Sequence, residues 1–338
     1  MKKIITILIS LLIFPNLQAE ENLKFYIEKA LKNNLQLNAE RKNFNSTKQS
    51  NNISRSEFLP NVTISGNQTS STSTNRKNQS GINLNDSNQD SESKTLSVEQ
   101  KIFSGFKGVN TFKKSALETQ KANLTLKQVE QQTILNTAST YFDLIFKSKN
   151  EKFNISNVNL FERQVESDSA RLQKGEITLT DLAQSESSLA GANANLINAK
   201  TELLASKKNF ERVTREKIPE LKNLTENFFL ILPNSLDFSL ELASLNNINL
   251  LISKLDYEIS IKNLNIEKAR LSPSATINYS KSENKDLSST IDETDQESVK
   301  ATITWPLFKG GENISSIKKS SFDKQRSQLI LEDTKNKI

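Results

Sequence analysis

Residues 171–203 have the sequence RLQKGEITLTDLAQSESSLAGANANLINAKTEL, which predicts a long helix that follows a sharp turn at Gly175. After the turn, large apolar residues recur every seven positions, at Leu182, Leu189, Leu196, Leu203 and Phe210. Three positions after each of them comes a smaller residue; these are Ser185, Ala192, Ala199, Ser206 and Val213. A seven-residue repeat with two such positions is typical of a helix packed in a coiled coil.

A second apolar stripe lies beside the first, at Ala183, Ala190, Ile197 and Leu204. An ordinary two-stranded antiparallel coiled coil explains only one stripe. A widened seam with small residues suits a helix that packs against neighbours on both sides, as a stave of a helical barrel does. We favour the stave, and the periodicity alone leaves the two-stranded coiled coil open.

The segment before the turn predicts an unusually long helix. From Val109 to Lys174 there are 66 residues without Gly or Pro, which as a helix would be about 100 Å long. A return segment runs from Glu176 to Ile218, before Pro219. Together they predict an antiparallel helical hairpin.

The overall composition excludes most kinds of catalytic and metal site. The 338 residues include only eight Gly and six Pro, so the chain must form long uninterrupted elements. There is no His and no Cys, which excludes Ser-His-Asp and Cys-His catalysis, His or Cys metal sites and disulfides. The 45 basic residues are balanced by 39 acidic ones, so we expect no nucleic-acid partner.

Residues 1–19 have the pattern of a cleaved secretory signal peptide. Lys2 and Lys3 precede an apolar run from Ile4 to Phe14, and Ala19 offers a cleavage site. The run has eleven residues, whereas a membrane-spanning helix needs about 20. No later stretch is long and apolar enough to span a bilayer as a helix, and we predict an exported chain.

The chain also contains an internal repeat. Residues 30–60 match 243–273 without a gap, and residues 96–133 match 301–338 after a loop that differs in length by eight residues. Such tandem matches identify two copies of one structural unit.

The two copies differ in length. We place the first at residues 20–235 and the second at residues 236–338. Because the second copy stops at the point where the first continues into its hairpin, we expect this chain to be C-terminally truncated.

Each copy is predicted to contain helix broken by polar turns, two strands and then a long helix. The strands are indicated by alternating apolar and polar residues, as at Val62 and Ile64. The predicted elements of the first copy are helices in 21–59, strands at about 61–70 and 94–103, and the hairpin 109–218. Those of the second are helices in 240–271, strands at about 274–281 and 298–306, and the start of a long helix at 312–338. The Ser-, Asn- and Asp-rich segments 67–93 and 280–298 between the strands are predicted to be solvated loops.

Two local patterns of catalytic or metal-binding type are incomplete. Ser104 and Lys107 fit Ser-x-x-Lys, but the same pattern recurs by chance in this Ser- and Lys-rich chain and no companion motif accompanies it. A calcium-loop pattern begins at Asp86, but Ser91 stands where Gly is needed and Ser97 where a bidentate Glu is needed. We therefore expect that the protein is not an enzyme and that it binds no metal and no cofactor.

In this order, the elements resemble the TolC-like outer-membrane channels of efflux pumps and type I secretion. The resemblance covers essentially the whole mature chain. It is carried by the junctions FLPNVTIS, LSPSATINY, QKIFSGFKG and TWPLFKGGE, by TASTYFDLIF in the long helix, and by the hairpin sequence quoted above.

The resemblance implies a mixed α and β membrane protein that forms a homotrimer. Each protomer would give four strands to a twelve-stranded transmembrane β-barrel, and its helical hairpins would line a periplasmic tunnel, the helical barrel. A closed barrel built from several chains is also physically required, because an isolated four-stranded sheet would expose unpaired edges to lipid.

The resemblance also implies the function. The chain would be a passive conduit in the outer membrane, extending into the periplasm and contacting outer-membrane lipid. A periplasmic adaptor and an inner-membrane transporter, of the resistance-nodulation-division, ABC or major facilitator type, would open it. The alternative is an exported coiled-coil binding protein, such as a periplasmic adaptor or an adhesin, without channel activity.

The family's hairpin tip maps onto four residues of this sequence. Gly175, with Arg171, would dock the adaptor, although a left-handed helix cap explains Gly175 equally. Thr180 and Asp181 would hold the periplasmic gate closed, and solvated helix surface is the alternative.

Three aromatic residues are expected at the membrane interface, at the level where strands meet helices. They are Phe103, Trp305 and Phe308. Simple core packing is the alternative explanation for them.

Overall fold

The computed structural model describes residues 23–218, 233–288 and 291–338, so the predicted signal peptide lies outside the described residues. These residues form seven α-helices, four β-strands and a short 3₁₀ helix at Ser56–Phe58. The helices are α1 Leu23–Asn33, α2 Leu35–Arg55, α3 Lys107–Gln173, α4 Leu179–Thr214, α5 Leu236–Asn246, α6 Ile248–Ala269 and α7 Glu312–Asn336. The strands are β1 Asn61–Ser73, β2 Ser87–Ser104, β3 Ser274–Ser288 and β4 Ile291–Thr304.

The described residues divide into two compact units. Residues 23–41 and 127–218 form the hairpin unit, and residues 42–126, 233–288 and 291–338 form the sheet unit. Among the described helices, none combines the length and the apolar character needed to cross a lipid bilayer.

The two copies of the repeat break their helices at equivalent positions. α1 and α5 both have 11 residues, and each is followed by an Asn that caps the next helix. Asn34 Oδ1 accepts a hydrogen bond from Leu37 N at 3.1 Å, and Asn247 Oδ1 accepts one from Leu250 N, also at 3.1 Å. An Asn side chain that satisfies a free amide of the first turn favours a helix start at that point.

The core of the hairpin unit is where α1 packs against α3 and α4. The Tyr26 ring lies 4.9 Å from the Phe210 ring, edge to face, and 6.1 Å from the Tyr141 ring. These three residues are fully buried, together with Leu144. Phe210 belongs to the first heptad stripe, and that stripe is turned inward as its period predicts.

The second stripe of α4 is left uncovered within the chain. Ile197 is 65% exposed and Leu204 is 58% exposed, and Ala183 and Ala190 are exposed as well. The hairpin unit therefore presents an apolar helix face to its surroundings.

The sheet unit contains one antiparallel sheet with the strand order β1-β2-β3-β4. Because paired residues point to the same side, the register defines two faces. One row, on what we call the apolar face, runs Val62, Val98, Tyr279 and Val299. The adjacent row, on the polar face, runs Thr63, Ser97, Ser280 and Ser298. The strand alternation predicted from sequence is thus present in all four strands.

The strands are longer than the alternation predicted. β1 and β2 stay paired up to Ser73 and Ser87, and β3 and β4 up to Ser288 and Ile291, so most of the segments predicted as loops is strand. The apolar alternation ends at the edge of the apolar band, but the backbone ladder continues beyond it. Ser and Thr support an extended polar ribbon of this kind, because the ladder satisfies its backbone groups.

Each long helix follows a strand through two consecutive left-handed residues. In the first copy they are Gly105, with φ +62°, and Phe106, with φ +64°. In the second they are Gly310, with φ +55°, and Gly311, with φ +82°. The repeat therefore preserves the turn geometry even where one glycine is replaced by Phe.

Candidate functional site

The hairpin tip begins with a helix end of the Schellman type. Gly175 N donates to Leu172 O at 2.8 Å, and Glu176 N donates to Arg171 O at 3.0 Å. Gly175 has φ +79°, and apart from its chain neighbours no described residue has an atom within 4 Å of the position of an added Cβ. The glycine therefore serves as a left-handed cap, and open space surrounds it.

The return helix α4 begins with a capping box made by Thr178 and Asp181. One carboxylate oxygen of Asp181 accepts from Thr178 N and from Thr178 Oγ1, both at 2.8 Å, while Asp181 N donates to Thr178 Oγ1 at 3.3 Å. The backbone and hydroxyl hydrogen bonds from Thr178 lower the pKa of Asp181. Thr180 lies exposed in the same first turn, so the predicted gate residues stand together at the start of α4.

An acidic residue that sequence analysis missed joins the two helices below the tip. Asp168 on α3 is buried, and its carboxylate accepts from Ser185 Oγ on α4 at 2.5 Å and from Gln164 Nε2 at 2.8 Å. These hydrogen bonds lower the pKa of Asp168, and the Arg171 guanidinium, 3.6 Å away, acts in the same direction. Arg171 also pairs with Glu176 at 3.4 Å.

The same kind of link recurs further along the hairpin. Ser206 Oγ donates to Asp143 Oδ2 at 2.6 Å, and Lys147 pairs with Glu202 at 2.9 Å. The hydrogen bond to Glu202 raises the pKa of Lys147. Ser185 and Ser206 both occupy the small position of the heptad, so a hydroxyl at that position was a signal for a polar contact across the hairpin, without identifying the partner.

The three predicted interface aromatics lie at the helix-proximal end of the sheet. Phe103 is paired with Ala275 near the end of β2, and Trp305 and Phe308 follow β4. Trp305 is 61% exposed and donates from Nε1 to Leu271 O at 3.0 Å, and Phe308 is 83% exposed. The Phe103 ring packs edge-on against Phe106 at 5.5 Å.

Comparison with known proteins identifies the family. The family model described as outer membrane efflux protein matches residues 26–214, which include the first strand pair and the whole of the first hairpin. The chain belongs to the outer membrane efflux protein family. This family is one of channel proteins and not of enzymes.

Sequence relatives and solved structures match this outer membrane efflux protein along most of its length. The outer membrane protein TolC of Salmonella enteritidis is 25% identical over 337 residues, which cover 96% of this chain and 67% of that protein. The structure of the Campylobacter jejuni CmeC outer membrane channel superposes with a TM-score of 0.77 at 17% identity, covering 93% of this chain and 67% of CmeC. The outer membrane protein VceC of Vibrio cholerae gives a TM-score of 0.73 at 16% identity, covering 93% and 75%.

These findings confirm the predicted fold class, the outer-membrane location and the efflux function. They support the channel over the exported coiled-coil binding protein. The likeness to CmeC and VceC also accounts for the combination of a long helical hairpin with a four-stranded sheet in one chain.

Proposed function

We propose that this outer membrane efflux protein is one protomer of a homotrimeric exit duct, in which three sheets close into a twelve-stranded barrel. The observation that carries the proposal is a four-stranded sheet with one apolar face. Among the described strands, β1 pairs only with β2 and β4 only with β3. Open strand edges cannot face lipid, so further copies must complete the ladder.

The apolar face covers most of the depth of a membrane's apolar layer. Along β2 it runs from Leu96 to Phe103, about 24 Å of strand at 3.4 Å per residue, which at the usual strand tilt of about 40° spans roughly 18 Å of the apolar band of about 25 Å in outer-membrane barrels. Ile64, Val299 and Ile303 continue it on the outer strands, and all three are exposed within the chain. Phe103, Trp305 and Phe308 then form the aromatic girdle at its periplasmic rim.

The uncovered stripe on α4 supports the same assembly. Ile197 and Leu204 would be covered by the hairpin of a neighbouring protomer, so that each hairpin acts as a stave of the tunnel. Aliphatic side chains of this size each contribute about 1.5–3 kcal/mol when fully buried, so three such interfaces favour the closed trimer.

The hairpin tip is the contact for partners. The open surface around Gly175 and Arg171 docks a periplasmic adaptor, and Thr180 and Asp181 hold the periplasmic end closed through polar links to a neighbouring hairpin. An inner-membrane transporter of the resistance-nodulation-division, ABC or major facilitator type supplies the energy, for efflux or for type I secretion, and the duct itself is passive.

A cysteine scan tests the trimer, because the chain contains no Cys. One cysteine is placed on β4 at Lys300 and a second is moved along β1 from Asn61 to Gly66. Within one chain β1 and β4 are three strand spacings apart, about 14 Å, too far for a disulfide. Oxidation of outer membranes should therefore give covalent oligomers up to a trimer, with a two-residue period along β1.

The control places cysteines at the paired residues Ser97 and Ser280, which should close within one chain and leave its mass unchanged. If every β1 position yields only monomers, or if the protein fractionates as a soluble periplasmic monomer, the proposed assembly is wrong.

A second experiment separates the gate role of Asp181 from its capping role. Asp181→Ala removes both, whereas Thr178→Ala removes the capping box and keeps the carboxylate; each should cost helix stability on the order of 1 kcal/mol. A gate predicts that only Asp181→Ala raises single-channel conductance. Equal conductance changes in the two variants would assign Asp181 to capping alone.

A further inference from the structure

A cleft with a basic lining lies in the sheet unit, where the strands meet the helices. Its volume is about 470 Å³. Four basic residues line it, Lys101, Lys107, Arg270 and Lys309, together with Glu57 as the acidic residue of the lining. Among the lining residues alone, positive charges outnumber negative ones by three; Glu267 and Glu312, which pair with Arg270 from outside the lining, reduce this excess to one.

The cleft opens on the polar face of the sheet. Lys101 is paired with Thr276, and Ser274 is paired with both Ser104 and Thr304. All five of these residues line the cleft and lie on the side opposite the row of Val62 and Val299. If the apolar face contacts lipid, the cleft faces water inside the barrel.

Two of the four basic residues are already compensated. Lys101 Nζ lies 3.2 Å from Glu57 Oε2. Arg270 lies 2.9 Å from Glu267 and 3.3 Å from Glu312.

The charges of the other two basic residues, Lys107 and Lys309, are not compensated. Both side chains are exposed, and within the described residues neither has an ion pair. Their charges are therefore available to a solute that enters the cleft.

We propose that this cleft makes the channel preferentially permeable to anionic solutes. The inference rests on the proposed channel, in which three copies bring six uncompensated lysines around one passage at the level of the strand–helix junction. A cleft with an excess of one sign of charge raises the local concentration of solutes of the opposite sign. The solute class is a soluble anion and not a lipid headgroup, because five of the six strand residues in the lining belong to the polar face and only Phe103 belongs to the apolar face.

The test is the reversal potential of the reconstituted channel in a potassium chloride gradient across a planar bilayer of neutral lipid. The unchanged protein should show a chloride-to-potassium permeability ratio above one. Lys107→Gln combined with Lys309→Gln should lower that ratio at least about twofold. Glu57→Gln should raise it, because this change frees Lys101.

The matched control removes the same number of charges from the opposite face of the sheet, with Lys94→Gln and Lys285→Gln, and should leave the ratio unchanged. A ratio that is insensitive to both the lysine changes and Glu57→Gln would overturn the inference. So would loss of copurifying phospholipid with an unchanged ratio, which would assign the cleft to lipid headgroups. A complete lack of conductance would instead refute the channel itself, and the inference with it.

Discussion

Gly105 offers a sharp test of the strand–helix junction, because its counterpart Gly310 provides an internal control. Both have a positive φ, so alanine at either position costs about 1–2 kcal/mol of backbone strain. Only Gly105 is also confined. A Cβ there would lie 2.5 Å from the Ser272 Cβ and 2.8 Å from Ala269 O, whereas at Gly310 a Cβ would meet no atom within 4 Å from the part of the chain that the structure describes, its chain neighbours aside.

The overlap at Gly105 should add about 1–3 kcal/mol, the usual cost of forcing extra carbon into a packed site. We therefore expect Gly105→Ala to lower the free energy of unfolding by about 2–5 kcal/mol and Gly310→Ala by about 1–2 kcal/mol. Ser272→Gly should rescue Gly105→Ala in part, because it removes the nearest atom and leaves Ala269 O in place.

The assay is denaturant unfolding in detergent, followed by tryptophan fluorescence. Trp305 is the single tryptophan of the chain, and its Nε1 donates a hydrogen bond to Leu271 O, next to Ser272. Its fluorescence emission therefore reports on this junction. Equal losses for Gly105→Ala and Gly310→Ala, or no rescue by Ser272→Gly, would refute the close approach.

Three further predictions concern the hairpin unit. Phe210→Ala should destabilise the chain by about 3–5 kcal/mol, because Phe210 is fully buried. Leu204→Ala should leave the free energy of chain unfolding nearly unchanged, but it should lower the temperature at which the trimer dissociates on gels. Because the pKa of Asp168 is lowered in the folded chain, its contribution to stability should be present above about pH 4 and lost as the pH falls through the lowered value. Asp168→Asn should flatten that acid limb of the unfolding curve, and an unaltered limb would count against the link. Gly175→Ala should lower the free energy of unfolding by about 1–2 kcal/mol, and Gly175→Asn should lower it less, since Asn tolerates a left-handed backbone. The reverse ranking in calorimetry would contradict the role of Gly175 as a left-handed cap.

The heptad stripe of α4 could be predicted because its period directly encodes which face is buried. Phe210 is accordingly buried and Leu204 exposed. The hydrogen bond from Ser185 to Asp168 could not be predicted, because it depends on how two long helices are aligned across the turn. A small residue at Ser185 indicates close packing and does not name its partner.

The strands show the opposite limit of sequence patterns. The alternation of apolar and polar residues located the apolar face at Val62 and Ile64. The predicted strands ended where that alternation ends. The paired polar extension to Ser73 has no apolar side chains to mark it, since pairing with the neighbouring strand holds it in place. Similarly, the repeat aligns Gly105 with Gly310, but only the folded chain places Ser272 against the first of them.

The most direct test of the channel is single-channel recording of the protein extracted from outer membranes and inserted into a planar lipid bilayer. We expect uniform conductance steps from a heat-modifiable trimer without any added energy source. A protein that keeps its folded Trp305 emission and inserts into the bilayer, yet never conducts, would contradict it.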